Sequence, residues 1–222
     1  MRYPIVLFDL DGTFTNPGLG ITNSVMYSLK KYGIEGQLRE SLYRFIGPPL
    51  HESYEKFYSF SREQAMQAVS YYREYYEEKG MFENEVYPGI KQLLRDLTKQ
   101  GVLCLVATSK PEIYAKKILD YYELSNYFYY IAGANMDGTR TDKAEVIAYA
   151  LKQIPAEYSN KKVLMVGDRS HDIIGAKKNG IDCAGVLFGY GSSEELEEAG
   201  ADFIADSVEA VRNIILLDTA MN

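Results

Sequence analysis

VLFDLDGTFTN, at residues 6–16, is the stretch of the sequence that decides which fold the chain can adopt. An apolar run from Ile5 to Phe8 leads directly into Asp9, and Asp11 follows two positions later. A short, continuous apolar run of this kind is typical of a buried strand in a parallel sheet. Because two carboxylates this close disfavour each other's ionised forms, we expect either a nearby group that offsets the repulsion or a task that the acids share.

Five further apolar runs resemble the first, and we predict that each forms a strand. They are VLCLVA (102–107), FYYIAG (128–133), VLMVG (163–167), CAGVLFG (183–189) and ADFIA (201–205). Helical patterns stand between several of them, at IKQLLRDLTKQG (90–101), PEIYAKKILDYY (111–122), TDKAEVIAYALKQ (141–153) and HDIIGAKKNG (171–180). This alternation predicts an α/β fold with a Rossmann-like parallel sheet and right-handed crossovers.

One long segment interrupts the alternation, because no convincing strand pattern occurs between about Asn16 and Glu85. Three helical patterns fill it: ITNSVMYSLKKYG (21–33), QLRESLYRFIG (37–47) and SREQAMQAVSYYREYYEEKG (61–80). We predict a core domain at residues 1–15 and 86–222, with a small all-helical domain inserted at 16–85. An insertion after the first strand is expected above the sheet edge at which open α/β folds bind ligands. We interpret it as a lid rather than as a packing unit alone.

Charge and composition exclude several classes of function. The 222 residues carry a net charge of −7, which argues against general binding to nucleic acid. No apolar stretch is long enough to span a bilayer, and the N-terminal residues lack the pattern of a signal peptide. Cys104 and Cys183 lie inside apolar runs, which favours two reduced, buried thiols over a disulfide. We therefore expect a cytoplasmic globular protein.

Polar residues follow the predicted strands at the points where these end, and a lysine begins a later helix. The candidates are Asp9, Asp11, Thr108, Ser109, Lys143, Asp168 and Asp172. Because the carboxyl ends of parallel strands share one edge of the sheet, we expect these side chains to converge there.

A cluster of carboxylates suits Mg²⁺, which takes one or two carboxylates together with waters and a substrate phosphate. One carboxylate would then be free to attack phosphorus and form an aspartyl-phosphate, an established kind of covalent catalysis. The hydroxyls and the lysine would bind the phosphoryl oxygens. The pattern therefore indicates phosphoryl chemistry.

Simpler explanations of single residues remain open. Thr108 and Ser109 would also be suited to cap the helix that Pro111 begins, instead of binding phosphate or in addition to it. Asp172 would also be suited as an ordinary acid at a helix start. Lys110 follows Ser109 directly, and the sequence leaves open whether it acts in the site or is an ordinary lysine. His171 has the character of a surface residue, and Arg169 that of a partner for a nearby acid.

The motifs FDLDGT (8–13), TSK (108–110), the single Lys143 and GDRSHD (167–172) occur in that order. Together they resemble the haloacid dehalogenase superfamily of phosphohydrolases, over about residues 3–206. The resemblance implies that Asp9 is the nucleophile and a Mg²⁺ ligand. It implies that Asp11 is the general acid and base, with its backbone carbonyl also on the metal. Lys143 would neutralise Asp9 and the substrate phosphate.

The same resemblance implies roles for the remaining candidates. Thr108 and Ser109 would bind the substrate phosphate, although relatives often have Asn where this chain has Ser109. Asp168 would hold Mg²⁺, and Asp172 would be a further ligand or a partner of the ligands.

Several stretches resemble the phosphoglycolate phosphatase-like subgroup, which has a small helical cap. They are NPGLGI (16–21), RFIGPPLHESY (44–54), VYPGI (86–90) and ATSKP (107–111). The resemblance implies hydrolysis of a small phosphorylated metabolite, with phosphoglycolate as the first expectation and no membrane or nucleic-acid partner. Phe14, Asn16 and Arg169 depart from the usual pattern, which affects the expected substrate rather than the chemistry. A monomer or a homodimer is expected.

Three alternatives remain. Tyrosines are concentrated in the inserted segment, and they slightly favour a nucleoside 5′-monophosphate, although packing is their usual role. They are Tyr71, Tyr72, Tyr75 and Tyr76, together with Tyr54 and Tyr58. A phosphomutase resembling β-phosphoglucomutase would share the active-site motifs. The intact acids argue against a regulatory module that kept only the fold.

Arg44, Pro48 and His51 lie on or near a loop of the insertion, and this loop is a candidate for recognising the substrate.

Overall fold

A computed structural model of the protein describes residues 1–217. They form two compact units. The core unit contains Met1–Phe14 and the chain from Val86 onward, and the helical unit is Thr15–Glu85. Within residues 1–217, no helix combines the length and the apolar character that crossing a bilayer requires.

Six parallel strands form the sheet of the core unit. In chain order, the strands of the protein are β1 (Ile5–Phe8), β2 (Thr15–Asn16), β3 (Glu85–Val86), β4 (Leu103–Pro111), β5 (Tyr130–Ala134), β6 (Val163–Gly167), β7 (Asp182–Val186) and β8 (Phe203–Ala205). The main sheet has the order β5-β4-β1-β6-β7-β8, and β2 and β3 pair separately. The order places β1 in the interior of the sheet, between β4 and β6.

Helices cover the sheet and build the helical unit. They are α1 (Gly18–Lys30), α2 (Leu50–Tyr58), α3 (Arg62–Tyr75), α4 (Ile90–Lys99), α5 (Glu112–Tyr121), α6 (Lys143–Leu151), α7 (Ser170–Lys178), α8 (Ser193–Glu198) and α9 (Val208–Leu216). Ile5 and Leu7 of β1 share a buried cluster with Ile147 of α6 and Ile173 of α7. Because strand side chains alternate between faces, Val6 and Phe8 belong to the opposite, equally buried face.

The predicted α/β fold with a parallel sheet is confirmed, and each of the six apolar runs overlaps a strand of this sheet. The strand predicted to end at Ala107 continues to Pro111, so Thr108 and Ser109 lie within β4 instead of following it. The two cysteines are free and buried, as predicted.

The helical unit has its own packed interior. Tyr54 of α2 and Tyr72 of α3 are buried, together with Tyr76, which begins a π-helical turn at Tyr76–Gly80. The rings of Tyr72 and Tyr76 stack with their centroids 5.2 Å apart. Ser61 and Gln64 form a reciprocal capping box at the start of α3, which fixes where that helix begins. These tyrosines pack inside the unit, which is the usual role that we weighed for them.

One local prediction in this unit was wrong. Arg39–Phe45 forms a 3-10 helix rather than the predicted longer helix at 37–47. His51, which we placed on or near a loop, lies in the first turn of α2, close to the loop that precedes this helix. Pro49 directly precedes that helix, and its fixed φ favours a helix start, so the Pro-Pro pair begins a helix instead of only breaking one.

Candidate active site

The acids of the site are positioned by three neighbouring strands that run in register. Phe8, the last residue of β1, pairs with Val106 of β4 and with Val166 of β6. The next residue, Asp9, donates its backbone N–H to the Val166 carbonyl at 2.9 Å. This bond continues the strand pairing by one residue, so the Asp9 carboxylate is held at the carboxyl end of the sheet.

Asp9, Asp168 and Asp172 form one compact buried cluster. Each offers a carboxylate oxygen, and these oxygens lie within 4.8 Å of one another. Asp168 and Asp172 are fully buried, and Asp9 is almost so. Asp168 follows the end of β6, while Asp172 lies in the first turn of α7. The expected convergence of these three acids is therefore present.

Lys143 lies between two of these acids. Its ammonium Nζ is 2.7 Å from Asp9 Oδ1 and 2.8 Å from Asp172 Oδ1, and it donates to the Ala107 carbonyl at 3.1 Å. Lys143 begins α6, where Asp142 caps the helix by accepting from the Ala144 backbone N–H. Burial lowers the pKa of Lys143, but the two carboxylates outweigh it and raise that pKa overall. Lys143 is therefore a permanent cation of the site.

Asp11 has a cation of its own. Lys110 Nζ lies 2.7 Å from Asp11 Oδ2, and the two side chains are only 6% and 12% exposed. Burial raises the pKa of Asp11, Lys110 opposes that rise, and the nearby Asp9 adds to it. The net direction is upward, so the protonated form of Asp11 is favoured relative to an ordinary Asp carboxyl group.

Thr108 and Ser109 occupy the carboxyl end of β4. Thr108 is buried, and its Oγ1 accepts from the Lys110 backbone N–H at 3.3 Å. Pro111 occupies the N-cap position of α5, and no side chain caps that helix. The alternative role of Thr108 and Ser109 as helix caps is therefore wrong. Their role in binding phosphate stays a prediction.

Burial and mutual repulsion disfavour ionisation of the remaining acids. Burial raises the pKa of Asp168 well above its ordinary value, and Asp172 and Asp9 add to the rise. Burial likewise raises the pKa of Asp172, to about 6, although Lys143 opposes it. An added cation at this position would reverse these shifts, because an opposite charge favours the ionised form.

The residues present fit a divalent cation. Among the described residues, no group hydrogen-bonds to the buried oxygen Oδ1 of Asp168, and such an orphaned acceptor is rare without a ligand. Four carboxylates, including that of Asp11, face two ammonium groups. When these four carboxylates and two ammonium groups are all ionised, the cluster has a formal net charge of −2. Oxygen ligands are also those that Mg²⁺ prefers.

Glycines that the sequence analysis did not single out make room for the acids. A Cβ on Gly12, whose φ is +80°, would lie 2.1 Å from Asp168 Oδ2. One on Gly189 would lie 2.4 Å from Asp168 Cβ, and one on Gly191 would lie 2.0 Å from the Asp168 carbonyl oxygen. Between the last two, the Tyr190 backbone N–H donates to Asp168 Oδ2 at 2.8 Å. The sequence GYG at 189–191 was a usable signal for this close approach.

The residues next to Asp168 in the sequence mostly make contacts that stabilise the fold. Arg169 pairs with Glu195 through Nε at 2.9 Å, which confirms its expected pairing with a nearby acid. His171 is exposed on α7. Asp172 Oδ2 accepts from the Arg169 backbone N–H at 3.1 Å. Asp172 thus also fulfils the simpler role at the helix start, while its other oxygen contacts Lys143.

Comparison with known proteins identifies the family to which the chain belongs. Residues 6–186 match the family described as haloacid dehalogenase-like hydrolase. A protein named 5′-nucleotidase from Pseudomonas aeruginosa is 41% identical over 217 residues, which are 97% of this chain and 96% of that protein. A protein named tyrosine-protein kinase PtkA from Mycobacterium tuberculosis is 37% identical over 216 residues, which are 95% of this chain and 72% of that protein.

A solved structure shows the same fold. The crystal structure of a predicted phosphatase from Clostridium acetobutylicum has a TM-score of 0.90 and 46% sequence identity, and the match covers 97% of this chain and 99% of that one. Together the matches confirm the family resemblance, the enzyme class and the fold class that the motifs predicted.

Proposed function

The chain belongs to the haloacid dehalogenase-like hydrolases, and we propose that it is a Mg²⁺-dependent phosphatase acting on a small phosphomonoester. One observation carries the proposal. Asp9, Asp168 and Asp172 converge within 4.8 Å at the end of the sheet, and Lys143 contacts two of them. A nucleophile, a metal-binding pair and a fixed cation are what a phosphoryl transfer to carboxylate requires.

Asp9 attacks phosphorus in the proposed reaction. A carboxylate oxygen of Asp9 forms the new P–O bond as the bond from phosphorus to the leaving oxygen breaks. Asp11, protonated, gives its proton to that oxygen, so the alcohol product departs neutral. Lys143 balances the negative charge on Asp9 and on the phosphoryl oxygens.

Water completes the proposed cycle. Asp11, now ionised, takes a proton from a water molecule, whose oxygen attacks the phosphorus of the aspartyl-phosphate. The P–O bond to Asp9 breaks, inorganic phosphate leaves, and both acids return to their starting states. Asp9, Asp168 and the Asp11 carbonyl would hold Mg²⁺, with Asp172 beside them, and the ion would polarise the phosphoryl group as a Lewis acid. Thr108 and Ser109 bind the substrate phosphate.

Nucleoside 5′-monophosphates are the substrates that we place first, ahead of phosphoglycolate. The support is the 5′-nucleotidase relative, which is 41% identical and matches along almost its full length. Of the tyrosines that slightly favoured nucleotides in the sequence, Tyr54, Tyr72 and Tyr76 do not add to this, because they are buried within the helical unit. A role of the helical unit as a lid stays a prediction.

Protein-tyrosine phosphorylation is a second candidate, because the Mycobacterium tuberculosis relative is named a tyrosine-protein kinase. In that reaction, the γ-phosphoryl group of ATP passes to a tyrosine hydroxyl rather than to water. A phosphomutase resembling β-phosphoglucomutase would instead return the phosphoryl group to a sugar phosphate.

The deciding experiment measures the fate of the phosphoryl group. The purified chain is incubated with Mg²⁺ and a panel of nucleoside 5′-monophosphates, phosphoglycolate and sugar phosphates, and inorganic phosphate is measured. Parallel reactions contain ATP labelled at the γ-phosphate with a tyrosine-containing peptide. We expect phosphate release that is highest with a nucleoside monophosphate and absent in the Asp9→Asn chain. Labelled peptide without phosphate release from the panel would contradict the phosphatase proposal.

A further inference from the structure

Glu195 of α8 lies outside the predicted catalytic set, yet its carboxylate accepts several bonds from the segment that joins two of the proposed metal-site acids. Its Oε1 accepts from Arg169 Nε at 2.9 Å, from the Ser170 backbone N–H at 2.8 Å and from Ser170 Oγ at 2.8 Å. Arg169 and Ser170 stand directly after Asp168 and shortly before Asp172. One carboxylate oxygen therefore fixes the backbone and both side chains between these acids.

Further hydrogen bonds restrain Arg169 and Ser170, the segment that Glu195 holds. The Arg169 backbone N–H donates to Asp172 Oδ2, so a shift of Arg169 would carry Asp172 with it. Ser170 begins α7, and Glu195 accepts that helix's first N–H. A negative charge at a helix N-terminus is favourable because of the exposed N–H groups and the helix dipole. Burial opposes ionisation of Glu195, but the Ser170 N–H and Arg169 outweigh it and lower the pKa of Glu195.

Glu195 is itself held from the core. Its backbone N–H donates to Ser192 Oγ at 3.1 Å, which caps α8. The next residue, Leu196, is fully buried, and a Cβ on Gly185 of β7 would lie 2.8 Å from its Cδ1. α8 is thus packed against β7, the strand next to β6. The position of the Glu195 carboxylate is therefore fixed by the core.

Asp168 is fixed by the chain just before α8. The Tyr190 N–H bonds to Asp168 Oδ2, and Gly189 and Gly191 pack against Asp168 without room for a side chain. The segment 189–195 therefore contacts both Asp168 and Ser170.

We infer that Glu195 is a positioning residue that holds the Asp168–Asp172 segment in the geometry needed to bind a divalent cation. The inference rests on the proposed Mg²⁺ site. Residues that orient metal ligands typically change metal affinity by about 10–100-fold when removed, whereas loss of an ion pair that only stabilises the fold leaves the metal affinity of the folded protein unchanged.

The test is calorimetric titration of MgCl₂ alone into the full chain without substrate. Glu195→Ala is compared with Glu194→Ala, which removes the same charge from the same first turn of α8 at an exposed position. We expect Glu195→Ala to weaken Mg²⁺ binding by at least about tenfold, and Glu194→Ala to leave it within about twofold. Glu195→Gln should lie between them, because its amide oxygen still accepts from Ser170.

Kinetics provide a second readout that a purely structural role would not move. The Mg²⁺ concentration giving half-maximal activity should rise in Glu195→Ala, while kcat at saturating Mg²⁺ returns close to that of the unsubstituted chain. Equal Mg²⁺ affinity in Glu195→Ala and Glu194→Ala would overturn the inference and leave the proposed function intact. If Glu195→Ala does not fold, the same comparison between Glu195→Gln and Glu194→Gln decides. Absence of Mg²⁺ binding by the unsubstituted chain would overturn the metal site and this inference together.

Discussion

Lys110 and Asp11 form a buried ion pair, with Nζ 2.7 Å from Oδ2 and both side chains largely shielded from solvent. The pair joins the end of β4 to the loop after β1. Lys110 opposes the upward shift that burial gives to the pKa of Asp11. Lys110, whose role the sequence left open, is therefore the cation that limits the rise in the pKa of the proposed acid and base.

Replacing Lys110 by Met should alter the pH dependence of catalysis. Met keeps the length of the side chain but removes the cation, so the pKa of Asp11 rises further. Because protonated Asp11 starts the proposed reaction, the alkaline limb of the kcat/KM profile should move to higher pH. Lys116→Met is the control, because Lys116 pairs with Glu112 at a half-exposed position on α5. An alkaline limb that stays in place or moves to lower pH would contradict the role given to Asp11.

The Asp9→Asn substitution should abolish turnover while the fold persists. The amide keeps the size of the carboxylate but is not a nucleophile, and loss of a catalytic nucleophile lowers kcat by about 10⁴-fold or more in a well-studied hydrolase. Phosphate release and circular dichroism of the same samples provide the measurement. Folded protein with substantial remaining activity would exclude attack by Asp9.

Lys143→Met should destabilise the metal-free protein. The substitution leaves Asp9 and Asp172 buried without their shared cation, and removal of one partner from a buried ion pair costs about 3–5 kcal/mol. Urea unfolding with a chelator present measures the loss. The exposed-pair control Lys116→Met should cost at most about 1 kcal/mol.

Adding Mg²⁺ should return part of the stability lost in Lys143→Met, because a ligand that binds only the folded state stabilises it. A Lys143→Met chain as stable as the unsubstituted one in chelator would show that the acids do not need this cation.

Without metal, the protein should become more stable as the pH falls through about 6, the raised pKa of Asp172. Asp168, Asp172 and Asp11 have raised pKa values in the folded state. The folded chain therefore binds more protons than the unfolded chain near this pH, and lowering the pH favours folding. Stability contributed in this way is lost as the pH rises through the folded pKa values. The thermal unfolding midpoint in chelator is the measurement.

Asp168→Asn supplies the control for this pH dependence. It removes one of the raised carboxyl groups and should flatten the rise in the midpoint on acidification. His51 titrates with a lowered pKa caused by burial and acts in the opposite direction, but it is common to both chains. Equal pH dependence in the two chains would show that Asp168 is ionised without metal.

The sequence was sufficient for the sheet and for the acids that lie at its edge. Buried parallel strands read as continuous apolar runs, so β1 and β6 were predicted with their observed bounds, Ile5–Phe8 and Val163–Gly167. Asp9 and Asp168 could be found because each directly follows such a run. The position of a motif in the fold can therefore be predicted when the motif directly follows a clearly predicted strand.

Glu195 and the short strands β2 and β3 could not be predicted, for different physical reasons. Glu195 reaches Arg169 and Ser170 only after the chain has passed through β7 and the loop before α8, so no local pattern connects them. Two-residue strands have no periodicity to detect. Arg39–Phe45 forms a short 3-10 helix, and the apolar pattern of so few residues does not distinguish such a piece from an α-helix.

The pairing of β2 with β3 has a consequence for how this protein can be rebuilt. Thr15 and Asn84 are hydrogen-bonded through their side chains at 3.3 Å, so the chain enters and leaves the helical unit at neighbouring points. Closing so small a gap costs little loop entropy. We therefore expect that the helical unit can be exchanged as a whole. A chimera that carries a relative's helices between residues 14 and 86, or only a short linker, should keep the register of the six-stranded sheet.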